Sequence, residues 1–239
     1  MTAPLGMDNI EVSEKIADDI GSRLQTIQSS IPPHVRLVAV TKTFSSVIVR
    51  AAYALGIRDF AENKVQEALA KQAELEDLTD VTWHFIGHVQ SNKSRKVLES
   101  FDWIHSIDSV KLAARLDRQA AELSKRPICC LQVKLAPDST KAGFTEDELA
   151  AALPELDPLT HLNIAGLMVI PPNGLAPLQT QEIFERAEEL REQIAQQGLS
   201  NIDLKELSMG MSGDFKLAIA AGATVVRIGS GIFGHRKYI

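Results

Sequence analysis

Eight strand-like apolar runs between residues 35 and 229 are separated by seven amphipathic helical runs. "VRLVAVT" (35–41) is followed by the helical "SSVIVRAAYALG", and "DFAE" (59–62) by "NKVQEALAKQAELEDL". "VTWHFIG" (81–87) leads to "SNKSRKVLESF", "DWIHSI" (102–107) to "SVKLAARLDRQAAEL", and "ICCLQVKL" (128–135) to "EDELAAALPEL". "LNIAGLMVI" (162–170) precedes the helix "QTQEIFERAEELREQIAQQ"; "DLKELSM" (203–209) and "TVVRIG" (224–229) flank "GDFKLAIAAG". Strict alternation of this kind implies parallel strands joined by right-handed crossovers. Eight units in a chain of 239 residues fit a closed (β/α)₈ barrel, a TIM barrel, better than an open sheet. The helix "EVSEKIADDIGSRLQTIQ" (11–28) precedes the first strand. Only "IFGHRKYI" follows the eighth, so the early helix is expected to fill the gap in the outer ring. With no internal repeat and no Gly/Ser linker, residues 1–239 read as a single barrel domain, with disorder expected over residues 1–10.

Composition narrows the function classes. The chain is 45% hydrophobic with a net charge of -6, which suits a globular protein and opposes general nucleic-acid binding. No apolar run reaches the ~20 residues of a membrane span. "MTAPLGMDNI" has neither a basic nor an apolar leader region, so no secretory signal is expected and the location expected is cytoplasmic. Cys129 and Cys130 are adjacent, point to opposite faces of a strand, and suggest a reducing compartment without a metal-type cysteine pattern. Without a coiled-coil heptad, a monomer is expected.

Active sites of such barrels lie at the C-terminal strand ends. Those ends carry Lys42; Glu62 and Asn63; His84, with Gly87 and His88 beyond; His105; Lys134; Met168; Ser208 to Ser212; and Arg227, Gly229 and Ser230. "SMGMSGD" runs straight into a helix, and "RIGSG" supplies a second set of small residues. Free backbone N–H groups at such turns hold phosphate, commonly after strands seven and eight. The bland alternative is that Ser212 or Asp214 merely caps the helix. "GSGIFG" matches a dinucleotide pattern but lacks the required following helix and distal acidic residue. His84 and His88 straddle a strand end and a glycine turn, so no metal pair is expected. Arg227 sits in a buried strand and requires either a core carboxylate or a bound ligand.

Lys42 ends strand one, which in a closed ring neighbours strand eight. A lysine in a partly dry pocket is more often a neutral amine, and a neutral amine forms Schiff bases with aldehydes. An aldehyde that also bears a phosphate is pyridoxal 5′-phosphate (PLP). The competing structural role is an ammonium that snorkels to the rim, and a lysine-dependent lyase acting on a phosphosugar uses the same parts.

"AVTKT", "FAENKVQE", "WHFIGHVQSNKSRKV", "DWIHSID", "AGLMVIPP" and "LSMGMSGDFKLAIAAGATVVRIGSGIFG" together resemble the pyridoxal phosphate homeostasis protein family over residues 36–234. His88 stands where that family more often has proline. The resemblance implies a barrel like the N-terminal domain of alanine racemase, with PLP as a lysine aldimine on Lys42. It implies phosphate contacts at Ser212, Gly213, Gly229 and Ser230, with Arg227 facing the pyridine nitrogen. Asn63, His84 and Met168 are implied near the ring, and Ser208, opening the loop after strand seven, joins the cofactor-binding candidates. A permanent cation at the ring nitrogen leaves it unprotonated and a weaker electron sink. Racemases of this barrel type add a second base, a tyrosine from a separate β domain. This sequence offers only Tyr53, in the first helix after strand one, and Tyr238, in the tail. The expectation is therefore a protein that buffers or delivers PLP, keeping amino- and keto-acids in balance, without substantial turnover and without catalytic residues. PLP-dependent apo-enzymes are the expected recipients; the alternative is a small PLP-dependent amino-acid racemase.

Overall fold

A computed structural model describes residues 7–138 and 141–234, the side chains of 7–16 excepted. Of the first ten residues, for which disorder is expected, 1–6 lie outside the described residues and 7–10 open the first helix; Tyr238 also lies outside them.

The apolar runs become strands and the amphipathic runs become helices, in strict alternation after the first helix. The order is α1 (Met7–Gln28), β1 (Arg36–Val40), α2 (Ser46–Ala54), β2 (Asp59–Glu62), α3 (Val65–Ala73), β3 (Thr82–Phe85), α4 (Ser94–Ser100) and β4 (Trp103–Ile107). It continues with α5 (Val110–Glu122), β5 (Ile128–Val133), α6 (Glu146–Leu156), β6 (Asn163–Val169), α7 (Pro177–Ala195), β7 (Ile202–Ser208), α8 (Phe215–Ala220), β8 (Val225–Ile228) and α9 (Ser230–Phe233). Local chemistry sets several boundaries. Thr145 and Glu148 form a reciprocal capping box at the start of α6, and Ser109 accepts the Leu112 N–H at the start of α5.

Neighbouring strands pair in parallel, and β1 pairs with β8, so the sheet closes as β1-β2-β3-β4-β5-β6-β7-β8. Strand alternation then divides the core in two. One set, including Phe60, Phe85, Ile104, Cys129 and Leu207, packs between the strands and the helices. The other, including Val38, Val40, Ala61, Trp103, Cys130 and Met168, fills the barrel interior. Cys129 and Cys130 thus face opposite ways as adjacent strand residues must, and both are buried free thiols.

α1 packs against α2 and against α9, the single turn that follows β8, closing the outer ring there. α9, a single turn, has too short a pattern to be read from the sequence. Among the described residues no helix is long and apolar enough to cross a membrane, and no three His, Cys, Asp or Glu side chains are grouped to hold a metal.

Candidate functional site

The strand ends of β1, β2, β3, β6, β7 and β8 surround a cavity of about 600 Å³. Lys42 and Val40 line it from β1, Asn63 from β2, Ile86 and Gly87 from β3, and Met168 and Ile170 from β6. Ser212 and Gly213 come from the loop after β7, and Arg227, Gly229 and Ser230 from β8 and the turn after it. Eight of the ten residues expected from the sequence therefore share one wall.

The other two do not line it. His84 is fully buried in the barrel interior; β3 presents Ile86 to the cavity two residues further along, so His84 lies one inward layer deeper. Ser208 is likewise fully buried and receives a hydrogen bond from Arg227. Lys134, also at a strand end, lines a crevice between β5 and α6 instead. Phe44, Ile86, Ile170, Met211 and Gly234 complete the wall without having been singled out. For Ile86 and Ile170 the signal was present, since each is the next inward residue after His84 and Met168.

The turn that carries Lys42 is held from outside the barrel. Lys71 on α3 donates to Thr41 O (2.9 Å) and pairs with Glu62, while Thr41 Oγ1 donates to Glu62 Oε1 (2.8 Å). Glu62 is fully buried and Lys71 nearly so, although neither is legible as a pair in the sequence. Thr43, a β-branched residue, sits at φ 70°, a left-handed conformation that persists where its surroundings over-determine it. Lys42, half-buried, thus stands between the clamped Thr41 and the left-handed Thr43.

Across the cavity, the loops after β7 and β8 are tied together. Ser212 Oγ accepts the Gly231 N–H (3.0 Å) and Asp214 Oδ1 accepts the Met211 N–H (2.6 Å). Neither side chain caps α8, so the simple capping role does not account for this loop. Among the described residues, the backbone N–H groups of Ser212, Gly213 and Ser230 donate to no protein acceptor. Gly210 turns the chain at φ 92°, and a Cβ there would lie 2.7 Å from Ala218 Cβ, so only glycine brings the loop this close to α8. Its carbonyl accepts the Arg227 N–H (2.9 Å), continuing the β7–β8 pairing past the strand end.

Arg227 is 3% exposed. Its Nη1 donates to Ser208 O and Oγ and its Nη2 to Val169 O (3.2 Å). Among the described residues no carboxylate is within ion-pair reach, and burial lowers its pKa to about 10, still leaving it charged at neutral pH. A buried cation held only by neutral acceptors favours an electron-rich ligand. Asn63 Oδ1 is buried in the same wall without a partner among the described residues, a second polar atom that a ligand would satisfy. A Cβ at Gly87 would lie 2.1 Å from Asn63 O, so the glycine permits the close approach that aims Asn63. The arrangement combines an amine, an unused set of amide donors and a fixed guanidinium. It suits a ligand bearing both a carbonyl and a phosphate.

Comparison with known proteins agrees with this geometry. The alanine racemase, N-terminal domain family matches residues 17–237. A pyridoxal phosphate homeostasis protein of Synechocystis sp. is 52% identical over 210 residues, 88% of this chain and 95% of that one. One from Pseudomonas aeruginosa is 44% identical over 87% of each. The structure of PipY from Synechococcus elongatus with PLP bound superposes with a TM-score of 0.87 at 52% identity, covering 90% of this chain and all of that one. Alanine racemase of Clostridium difficile matches at a TM-score of 0.72 over 92% of this chain and 60% of that one, but at 15% identity the likeness is one of fold.

Proposed function

The chain belongs to the pyridoxal phosphate homeostasis protein family, and we infer that it carries PLP in this cavity, covalently and exchangeably, to buffer or deliver the cofactor inside the cell. The carrying observation is the convergence on one wall of Lys42, of the Ser212, Gly213 and Ser230 amides, unused among the described residues, and of Arg227, which among the described residues has no carboxylate within ion-pair reach. When bound, PLP supplies an aldehyde that links to an amine and a ring that withdraws electrons.

The residues divide the work. Lys42 Nζ supplies the amine. The Ser212, Gly213 and Ser230 amides and the Ser230 hydroxyl would hold the phosphate, with Gly229 leaving room for the backbone to approach. Arg227 would face the ring nitrogen and, as a standing cation, would disfavour a proton there. Asn63 Oδ1 and Met168 would border the ring, while His84 and Ser208 would act from the layer beneath.

Absence of substantial turnover is part of the proposal. Lys42 and Arg227 are the titratable side chains among the described residues lining the cavity, and Arg227 stays charged at neutral pH. Racemisation needs a second base on the opposite face of the substrate carbon. Tyr53 is on α2 and donates to Asp80, away from the cavity. Cytoplasmic location, a monomeric single-domain state and apo-enzyme recipients complete the proposal.

The test is a titration of PLP into the wild-type chain and Lys42→Ala, followed by visible absorbance. A new band in the wild type that is missing from the variant is expected. An identical band in both removes Lys42 from this role.

A further inference from the structure

Beneath the cavity, hydrogen bonds run in one unbroken line through the barrel interior. Arg227 Nη1 donates to Ser208 Oγ (2.6 Å), which lies 2.7 Å from His105 Nδ1. His105 Nε2 is 2.9 Å from His84 Nδ1, and His84 Nε2 is 2.9 Å from Asp59 Oδ1. Arg36 Nη1 donates to the same Asp59 oxygen (2.8 Å) at the far end of the barrel.

The chemistry of the two ends dictates the direction of every link. A guanidinium can only donate, and an ionised carboxylate can only accept. Ser208 Oγ accepts from Arg227 and gives its own hydrogen to His105 Nδ1. His105 then carries its proton on Nε2 and donates to His84 Nδ1, and His84 carries its proton on Nε2 and donates to Asp59. The reverse arrangement of two neutral rings would aim a lone pair of His84 at the Asp59 carboxylate. Both rings are fully buried, and desolvation holds His84 below, and His105 well below, the ordinary histidine range. Trp103 stacks on both, with centroid separations of 5.2 Å to His84 and 5.5 Å to His105, which limits ring rotation.

We propose that His105 and His84 are positioning residues: their one-way line, anchored at Asp59, turns the Ser208 lone pair toward Arg227 and thereby fixes the guanidinium in the cavity floor. The consequence for the cofactor rests on the PLP reading above; the line itself does not. One added proton reverses it. The proton settles on His84 between Asp59 and His105, His105 donates from Nδ1, and Ser208 Oγ then accepts from Arg227 and from His105 through its two lone pairs, its own hydrogen turned out of the line, so the line no longer sets the orientation of the hydroxyl. The charged groups facing this step are Asp59 on β2, Arg36 on β1, Asp102 before β4 and Arg227 on β8.

The experiment compares His105→Gln and His105→Leu in the full chain. Glutamine can accept from Ser208 and donate to His84 but cannot take a proton; leucine does neither. With PLP loaded at pH 7.5, His105→Gln is expected to keep the wild-type absorption maximum and a PLP dissociation constant within about twofold. His105→Leu is expected to shift the band and weaken binding roughly tenfold or more, as loss of a hydrogen bond to a charged group does. Between pH 7.5 and 5 the wild-type band shifts. Identical spectra in all three proteins, or His105→Gln behaving as His105→Leu, would overturn the proposal. Should His105→Leu not fold, Ser208→Ala takes its place with the same expected loss. In the unloaded chain, ¹⁵N shifts of both rings at pH 7.5 should report protons on Nε2 alone. A proton on Nδ1 of either ring overturns the line even if no PLP adduct forms, whereas failure of the PLP reading shows instead as absence of any Lys42 adduct.

Discussion

Replacing Lys71 with methionine tests the clamp under the Lys42 turn. The substitution keeps the length of the side chain and removes the ammonium that joins Glu62 to Thr41 O. Glu62 is fully buried, and its Oε2 has no partner among the described residues, so the variant leaves a buried carboxylate with only the Thr41 hydroxyl. Breaking a buried ion pair by removing one partner costs about 3–5 kcal/mol. For a chain of this size each kcal/mol moves the melting midpoint by about 2–4 °C, so Lys71→Met should melt roughly 6–20 °C lower. Adding Glu62→Gln removes the stranded charge and should recover most of the loss, because the paired replacement is close to neutral. The assay is thermal unfolding of the wild type, the single variant and the double variant. A single-variant shift under about 2 °C, the size of an ordinary surface change, or a double variant no better than the single one, would refute the reasoning. The loosened turn should also speed PLP release, measured by transfer to an excess of a PLP-accepting apo-enzyme.

Two further perturbations follow from the same geometry. Gly87→Ala forces a Cβ toward Asn63 O, where 2.1 Å is available, so it should cost about 1–3 kcal/mol or more by overpacking and weaken PLP binding; unchanged binding would show that Asn63 does not depend on this approach. His84 and His105 have lowered pKa values in the folded chain, so their contribution to stability is present above the ordinary histidine value and is lost as pH falls through the folded values. The melting midpoint of the unloaded chain should therefore drop below about pH 6.5, less steeply in His105→Gln, and a flat wild-type profile would contradict the buried neutral pair.

The barrel was legible because its signal is periodic. Each strand announces itself by an apolar run and each helix by its 3.6-residue repeat, so β2 and α6 fall on their expected residues and other ends move by a few positions. The first helix begins at Met7 rather than Glu11, where the polar residues Asp8 and Asn9 hide its opening turn. Strand-end logic found Lys42, Asn63, Met168 and Arg227, since a parallel barrel brings those ends together whatever the loops do. Depth was not legible. His84 and Met168 both lie on strands and face inward, yet only Met168 lines the cavity, because past the end of β3 it is Ile86 that reaches the wall. The interior line was hidden for a related reason. His105 and Ser208 are 103 residues apart and meet only when the barrel closes, and Asp59 opens its strand at the opposite end from the site. The partner of Arg227 could not be decided from the sequence, and its lack of a carboxylate within reach among the described residues emerged only from the packing.

The central claim is that the Lys42 amine is the point at which this chain holds its cofactor. Borohydride reduction of the PLP-loaded wild type, followed by proteolysis and mass spectrometry of the peptides, tests it at the atom concerned. One reduced pyridoxyl phosphate group on the peptide that contains Lys42 is predicted. A group found principally on another lysine, with the Lys42 peptide unmodified, would contradict the account.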